Sequence, residues 1–186
     1  MRLTLPGQPR LRLALTALAG VVVIAVAAAL LGAGTSRSAS AAPSSGPLPT
    51  ARPFTLGRLG HPGTRIGLSD YSGRPVIINF FASWCAPCKR ETPLLARFYR
   101  AHHGRVLILG IDANDQASAA ISFLRKEGVQ YPVAFDPTAS VTVSYGIVAL
   151  PQTIFLNARH QIVRHVTGDV TLRELNAWAA HLAHQS

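Results

Sequence analysis

The hydrophobic pattern changes character twice along this chain. Leu13 to Gly34 carries no charge and is almost wholly apolar. At about 1.5 Å per helical residue that stretch can cross a hydrocarbon core of about 30 Å, so it predicts a membrane-spanning helix. From Thr35 to Arg52 the apolar positions give way to Ser, Pro, Ala and Gly, the composition of a flexible tether. From Pro53 to Ser186 short apolar runs alternate with amphipathic stretches, as one compact α/β domain requires.

Within that domain Phe54-Thr55-Leu56 and Arg65-Ile66-Gly67-Leu68 alternate around Gly60-His61-Pro62-Gly63 and predict a hairpin. Val76 to Phe81 is apolar on both faces, as a central covered strand must be. The helix expected after Cys85 turns Leu94, Leu95 and Phe98 inward, is kinked by Pro93 and stops at Gly104. Arg105 to Ile111 predicts a second buried strand. Asp115 then opens a helix with Ala117, Ala120, Ile121 and Leu124 on one side, closing at Arg125, Lys126 and Gly128. Tyr131 to Phe135 forms a short strand with a turn at Asp136-Pro137, and Thr153 to Leu156 pairs with Gln161 to Val166. The capping box Thr171-x-x-Glu174 starts a last helix that buries Leu172, Leu175, Ala179 and Leu182.

Charge gives the apolar stretch a direction. Arg2, Arg10 and Arg12 precede it, so residues 1–12 are expected in the cytoplasm, 13–34 as a transmembrane signal anchor, 35–52 as linker and 53–186 as an extracytoplasmic domain. A cleaved signal peptide is the alternative, since Ala39-Ser40-Ala41 fits a cleavage site; the protein is then secreted from near Ala42. The formal charge of +10 raises the question of nucleic acid. The basic residues are scattered and three of them flank the apolar stretch, so a solvated basic surface is expected and no nucleic-acid partner.

Cys85 and Cys88 are the two cysteines, placed directly after the apolar strand and at the start of a helix. Free backbone N–H groups and the dipole at a helix N-terminus favour a thiolate, which points to redox chemistry. Zinc would need four ligands, and His181 and His184 are the remaining pair with usable spacing. Covalent haem attachment needs His after Cys88, where this chain has Lys89. A structural disulfide across so short a loop would remove little chain entropy. An exported domain with one Cys-x-x-Cys pair is therefore expected to use it for exchange, with no cofactor beyond that pair and no metal.

The order of elements together with Trp84-Cys85-Ala86-Pro87-Cys88, Pro93 and Leu150-Pro151-Gln152-Thr153 resembles the thioredoxin fold. More narrowly, Asn79 six residues before Cys85, Glu91 in Cys-x-x-Glu-x-Pro, the added segment Asp115 to Phe135 and the run Tyr145 to Leu156 resemble the TlpA/ResA/DsbE (CcmG) branch of membrane-anchored thiol-disulfide oxidoreductases, with an AhpC/TSA-type redoxin domain. The resemblance implies a thioredoxin-like three-layer α/β/α sandwich with an N-terminal β-hairpin and a central αβ insertion, preceded by one transmembrane helix. It implies that Pro151 follows a cis bond and exposes Leu150 to pair with an extended substrate chain. Trp84, Ala86 and Pro87 would complete the substrate surface, although Trp84 also fits as a core aromatic.

In the chemistry so implied, Cys85 attacks a disulfide as thiolate and Cys88 resolves the mixed disulfide. Thioredoxins proper carry a buried Asp where this chain has Asn79, and relatives in this branch carry Glu at the positions of Ala86 or Gln152, so the usual carboxylate helper is absent. Lys89, Glu91 and Gln152 are the candidate proton or electrostatic helpers. Lys89 and Glu91 are expected to be solvated. The leading function is a tethered reductase acting on exported protein disulfides such as those of apocytochrome c, supplied with electrons by a CcdA/DsbD-like membrane thiol donor. A disulfide-forming oxidase, a metal or haem chaperone and a thiol peroxidase are the alternatives. The peroxidase is disfavoured by Ala82, which stands where a Thr-x-x-Cys pattern needs threonine.

Overall fold

A computed structural model describes residues 47–102 and 106–183. The expected membrane span at 13–34, the cytoplasmic segment 1–12, the cleavage site near Ala41, most of the linker and the helix stop at Gly104 lie outside the described residues. Among those described, no helix is long and apolar enough to cross a membrane.

Seven strands form one mixed sheet in the order β2-β1-β5-β4-β3-β6-β7. β1 (Thr55–Arg58) and β2 (Arg65–Gly67) are the expected hairpin, followed by a 3-10 turn at Leu68–Tyr71. β3 (Val76–Phe81), β4 (Leu107–Ala113) and β5 (Val133–Asp136) run parallel, while β6 (Gln152–Leu156) pairs antiparallel with β3 and with β7 (Ile162–Thr167). All positions of β3 and β4 are buried, which is why neither shows polar alternation in the sequence.

The helices are α1 (Ala86–Ala101), α2 (Ala117–Lys126), α3 (Ser140–Ser144) and α4 (Leu172–Ala183). Parallel β-strands require crossovers, and α1 and α2 supply them between β3, β4 and β5. Leu95 and Phe98 of α1, Ala120 and Leu124 of α2, and Leu175, Ala179 and Leu182 of α4 pack with Ile77, Phe81 and Ile108 on one side of the sheet. Leu68, Tyr71, Val141 of α3 and Ala51 cover Ile78, Phe80, Leu109 and Ile111 on the other. Each fully buried large apolar side chain contributes about 1.5–3 kcal/mol, so both faces are needed to hold the sheet.

Four local expectations change. Asp115 does not open α2, which begins at Ala117 after Gln116; its carboxylate binds elsewhere. Leu94 and Leu172 are half-buried rather than buried. Helix α3 was absent from the periodicity because five residues are too short to show one; Asp136 holds it in place by accepting from Ser140 Oγ, Thr142 N and Thr142 Oγ1 at 3.1, 2.9 and 2.8 Å. The domain also starts before Pro53. Ala51 N donates to the His160 carbonyl at 2.8 Å, Ile162 N to the Pro49 carbonyl at 2.8 Å, and Tyr145 Oη to the Arg52 carbonyl at 2.5 Å.

Candidate active site

Strand β3 delivers the chain to the end of the sheet where the cysteines sit. Cys85 is the N-cap of α1, and Pro87 lies in the first turn, where a missing N–H costs nothing. The Cys85 N–H donates to the Ala82 carbonyl and the Lys89 N–H to the Cys85 carbonyl, both at 3.2 Å. Cys85 and Cys88 are joined in a disulfide with Cα atoms 5.2 Å apart. The Cys88 N–H reaches Cys85 Sγ at 3.2 Å, so a helix-terminal donor is already aimed at the sulfur that would carry charge. Cys85 keeps 5% of its surface and Cys88 none, which makes Cys85 the sulfur an incoming group can approach.

The rim is apolar. Trp84 is 57% exposed, and its indole N–H is held by the Asn114 carbonyl at 3.0 Å. Trp84 is therefore a surface group beside the nucleophile and not a core aromatic. Ala86 is exposed and Pro87 half-buried next to it. The Leu150–Pro151 bond is cis, as expected. Pro151 immediately precedes β6, whose Gln152 pairs with Phe80 of β3, so Leu150 and Pro151 stand at the same end of the sheet as the cysteines.

The three candidate helpers separate. Lys89 is exposed. Gln152 is buried and already used, its Nε2 donating to the Ala149 carbonyl at 3.0 Å and its Oε1 bonded to His165 Nε2 at 2.6 Å. An amide oxygen only accepts, so His165 donates to it through Nε2–H, and desolvation lowers that imidazole from its ordinary value.

Glu91 overturns its expectation: it is 1% exposed, not solvated. It lies one turn beyond Cys88 on the buried side of α1 and accepts from Asn79 Nδ2 and from the Val170 N–H, each at 2.8 Å. Burial outweighs those two donors and pushes its carboxyl up to about 7. Asn79 also donates to Thr153 Oγ1 at 3.0 Å, and its own Oδ1 has no partner among the described residues. The Cys-x-x-Glu spacing placed Glu91 on the Cys88 side, but its depth depended on α4 and the Val170 backbone closing over it.

Sequence reading missed a second acidic group. Asp112 pairs with Phe81 across β4 and β3, is fully buried, and burial with the neighbouring Asp115 pushes it up to about 8. Asp115 accepts the Ser83 N–H at 2.5 Å and the Gln116 N–H at 2.6 Å. An aspartate inside the apolar run Leu107 to Ala113 was the available signal. Buried carboxyls thus stand at Glu91 and Asp112 and not at Ala86 or Gln152, where relatives of the branch carry Glu.

The arrangement matches known proteins. The profile described as the AhpC/TSA family matches residues 49–166. The thiol-disulfide oxidoreductase ResA of Bacillus subtilis is 36% identical over 110 residues, covering 59% of this chain and 62% of that protein. The aligned chain thus spans just under two thirds of that relative. Among solved structures, a secreted thiol-disulfide isomerase from Corynebacterium glutamicum is similar with a TM-score of 0.67 and 28% identity, over 72% of this chain and 85% of that one. StoA from Bacillus subtilis is similar with a TM-score of 0.59 and 25% identity, over 69% and 98%. These neighbours share the thioredoxin-like α/β fold.

Proposed function

We propose, from the premise that this chain belongs to the AhpC/TSA family, that it is an extracytoplasmic protein-disulfide oxidoreductase that reduces disulfides in exported proteins. The observation that carries the reading is a Cys85–Cys88 pair at a helix N-terminus, with Cys85 reachable and exposed Trp84 next to it in the chain. The relatives' names, thiol-disulfide oxidoreductase ResA and secreted thiol-disulfide isomerase, support it.

In the reduced protein Cys85 attacks as thiolate. Its sulfur bonds to one sulfur of the substrate disulfide, and the other substrate sulfur leaves as thiolate. Cys88 then attacks Cys85 Sγ, the mixed disulfide breaks, and the second substrate thiolate departs. Two electrons pass from the Cys85–Cys88 dithiol to the substrate, and the two protons released by the cysteines end on its thiols. Cys88 has no exposed surface, so its proton needs an internal acceptor. Glu91, one turn away and poised near neutrality, is suited to take it.

The docking surface proposed is the apolar rim of Trp84, Ala86 and Pro87 with the Leu150–Pro151 backbone, and an extended cysteine-bearing chain is the substrate. Apocytochrome c, whose haem-attachment cysteines must be reduced, is the substrate class we favour. Residues 13–34 would anchor the domain outside the cytoplasm, within reach of a membrane thiol donor that restores the dithiol.

Titration of the Cys85/Cys88 pair against glutathione tests the direction of electron flow. A potential near the thioredoxin value of about −270 mV is expected, and one near the DsbA value of about −120 mV would make the protein an oxidase. Cys88→Ser should accumulate mixed disulfides through Cys85, whereas Cys85→Ser should not.

A further inference from the structure

The acidic group with the least support in the fold stands directly behind the loop that carries the nucleophile. Asp112 is fully buried on β4 between Phe81 of β3 and Phe135 of β5, on the face covered by α1 and α2. No N–H or O–H among the described residues reaches either of its oxygens. The group that does interact with it is another carboxyl, Asp115. Two carboxylates side by side out of water repel, and neither can donate to the other. One proton between them turns the repulsion into a hydrogen bond and supplies the donor that Asp112 lacks.

Asp115 is also the brace of the active-site loop. Its two oxygens take the Ser83 and Gln116 N–H groups, and the preceding residue, Asn114, with φ +50°, turns its carbonyl onto the Trp84 indole at 3.0 Å. Residues 83 and 84 are thus gripped at two points, and the next residue is Cys85. We propose that the buried, donorless Asp112 keeps a proton that it donates to Asp115, and that this contact positions the Ser83–Trp84 segment so that losing the Asp112 proton in alkaline solution releases the segment and slows exchange at Cys85.

Asp112 is a positioning residue in this scheme, acting through Asp115 and the loop. The titratable groups on the surrounding elements are Cys85, Cys88, Lys89, Arg90 and Glu91 at the start of α1, Tyr131 ahead of β5, and Asp136, which faces the opposite side of the sheet. The first half of α2, Ala117 to Ser122, carries none. Burial and Asp115 together bring Asp112 up to about 8, where alkaline solution can remove its proton. Thiol exchange ordinarily speeds up and then levels as the attacking thiol ionises, so a fall at high pH is a signature opposite to that of the cysteine itself.

The inference deepens the oxidoreductase reading, and its test needs no protein substrate. The full-length oxidised protein and Asp112→Asn are reduced with dithiothreitol from about pH 6 to about pH 10, each rate normalised to its own value at neutral pH. Taking the ratio of the two curves cancels the titration of the reductant. Asparagine cannot ionise, and its amide can donate to Asp115. The variant is therefore expected to outpace the wild type at least about threefold at the alkaline end, with a midpoint near 8.

Superimposable normalised curves would overturn the acid pair. Failure of the pair to exchange with dithiothreitol at any pH would instead overturn the oxidoreductase reading. Carboxyl-labelled aspartate in the wild-type protein gives a second readout if the variant does not fold. One carboxyl should remain protonated at neutral pH and titrate near 8, and complete ionisation of all aspartates at neutral pH would sink the proposal.

Discussion

Asp112 and Asp136 lie on adjacent strands, both fully buried, and the fold treats them in opposite ways. Asp136 faces α3 and accepts three hydrogen bonds from Ser140 and Thr142. Asp112 faces α1 and α2, with no donor among the described residues on either oxygen and a second carboxyl, Asp115, interacting with it. Register alone separates them, because Ala113 opposes Asp136 while Asp112 opposes Phe135, so the two side chains emerge from opposite faces of the sheet. On the α3 side a buried carboxylate holds a helix in place. On the cysteine side the donors are withheld, and the carboxyl keeps a proton that solution chemistry can address.

Removing Asp136 should have the largest effect on stability. Asp136→Ala leaves the Thr142 N–H buried without its acceptor and frees α3, an expected loss of about 3–5 kcal/mol in urea denaturation. The alkaline signature in exchange should persist. An equal or greater loss for Asp112→Ala at alkaline pH would break the comparison.

Asp112→Asn should change the pH dependence of stability rather than its value in acid. A carboxyl raised from 3.8 to about 8 adds stability that is complete below the unfolded value and is lost as pH rises through the folded one. The wild type should therefore weaken across that window while the variant does not. Its relative gain should be absent near pH 4 and grow until it levels off above about pH 8. A constant difference between the two proteins at all pH values would remove the protonated state from the account.

Glu91 gives a smaller version of the same test, since it has two donors and is raised only to about 7 from 4.5. Glu91→Gln should shed a loss of stability that the wild type shows between about pH 4.5 and about pH 7. It should also slow reduction of substrate at neutral pH, because the proton acceptor beside Cys88 is gone. Unchanged turnover would show that water takes that proton. Trp84→Ala should cost the least stability, under about 1 kcal/mol, because the ring is 57% exposed. Its effect should appear in KM for protein substrates and far less in reduction by dithiothreitol, the pattern of a docking surface.

Much of this was legible before any coordinates. The hairpin, β3, the helix after Cys85, the β6–β7 pair and the Thr171–Glu174 capping box follow from local periodicity and turn chemistry, which depend on residues a few positions apart. The cysteine pair and the cis Pro151 were recognisable for the same reason, since their motifs are contiguous. Helix α3 escaped because its support is a single buried side chain rather than a repeating pattern.

The sequence by itself determined which residues carry the chemistry and the order in which strands and helices appear, because both are encoded over short spans. Tertiary structure alone decided the environment of the acids. Glu91 became buried when the Val170 backbone and Asn79 closed around it, Asp115 became a loop brace by reaching Ser83 across 32 positions, and Asp112, through its place in the register, has no donor among the described residues. Protonation follows the solvent and partners that surround a carboxyl, and those are brought together by packing between segments remote in the chain.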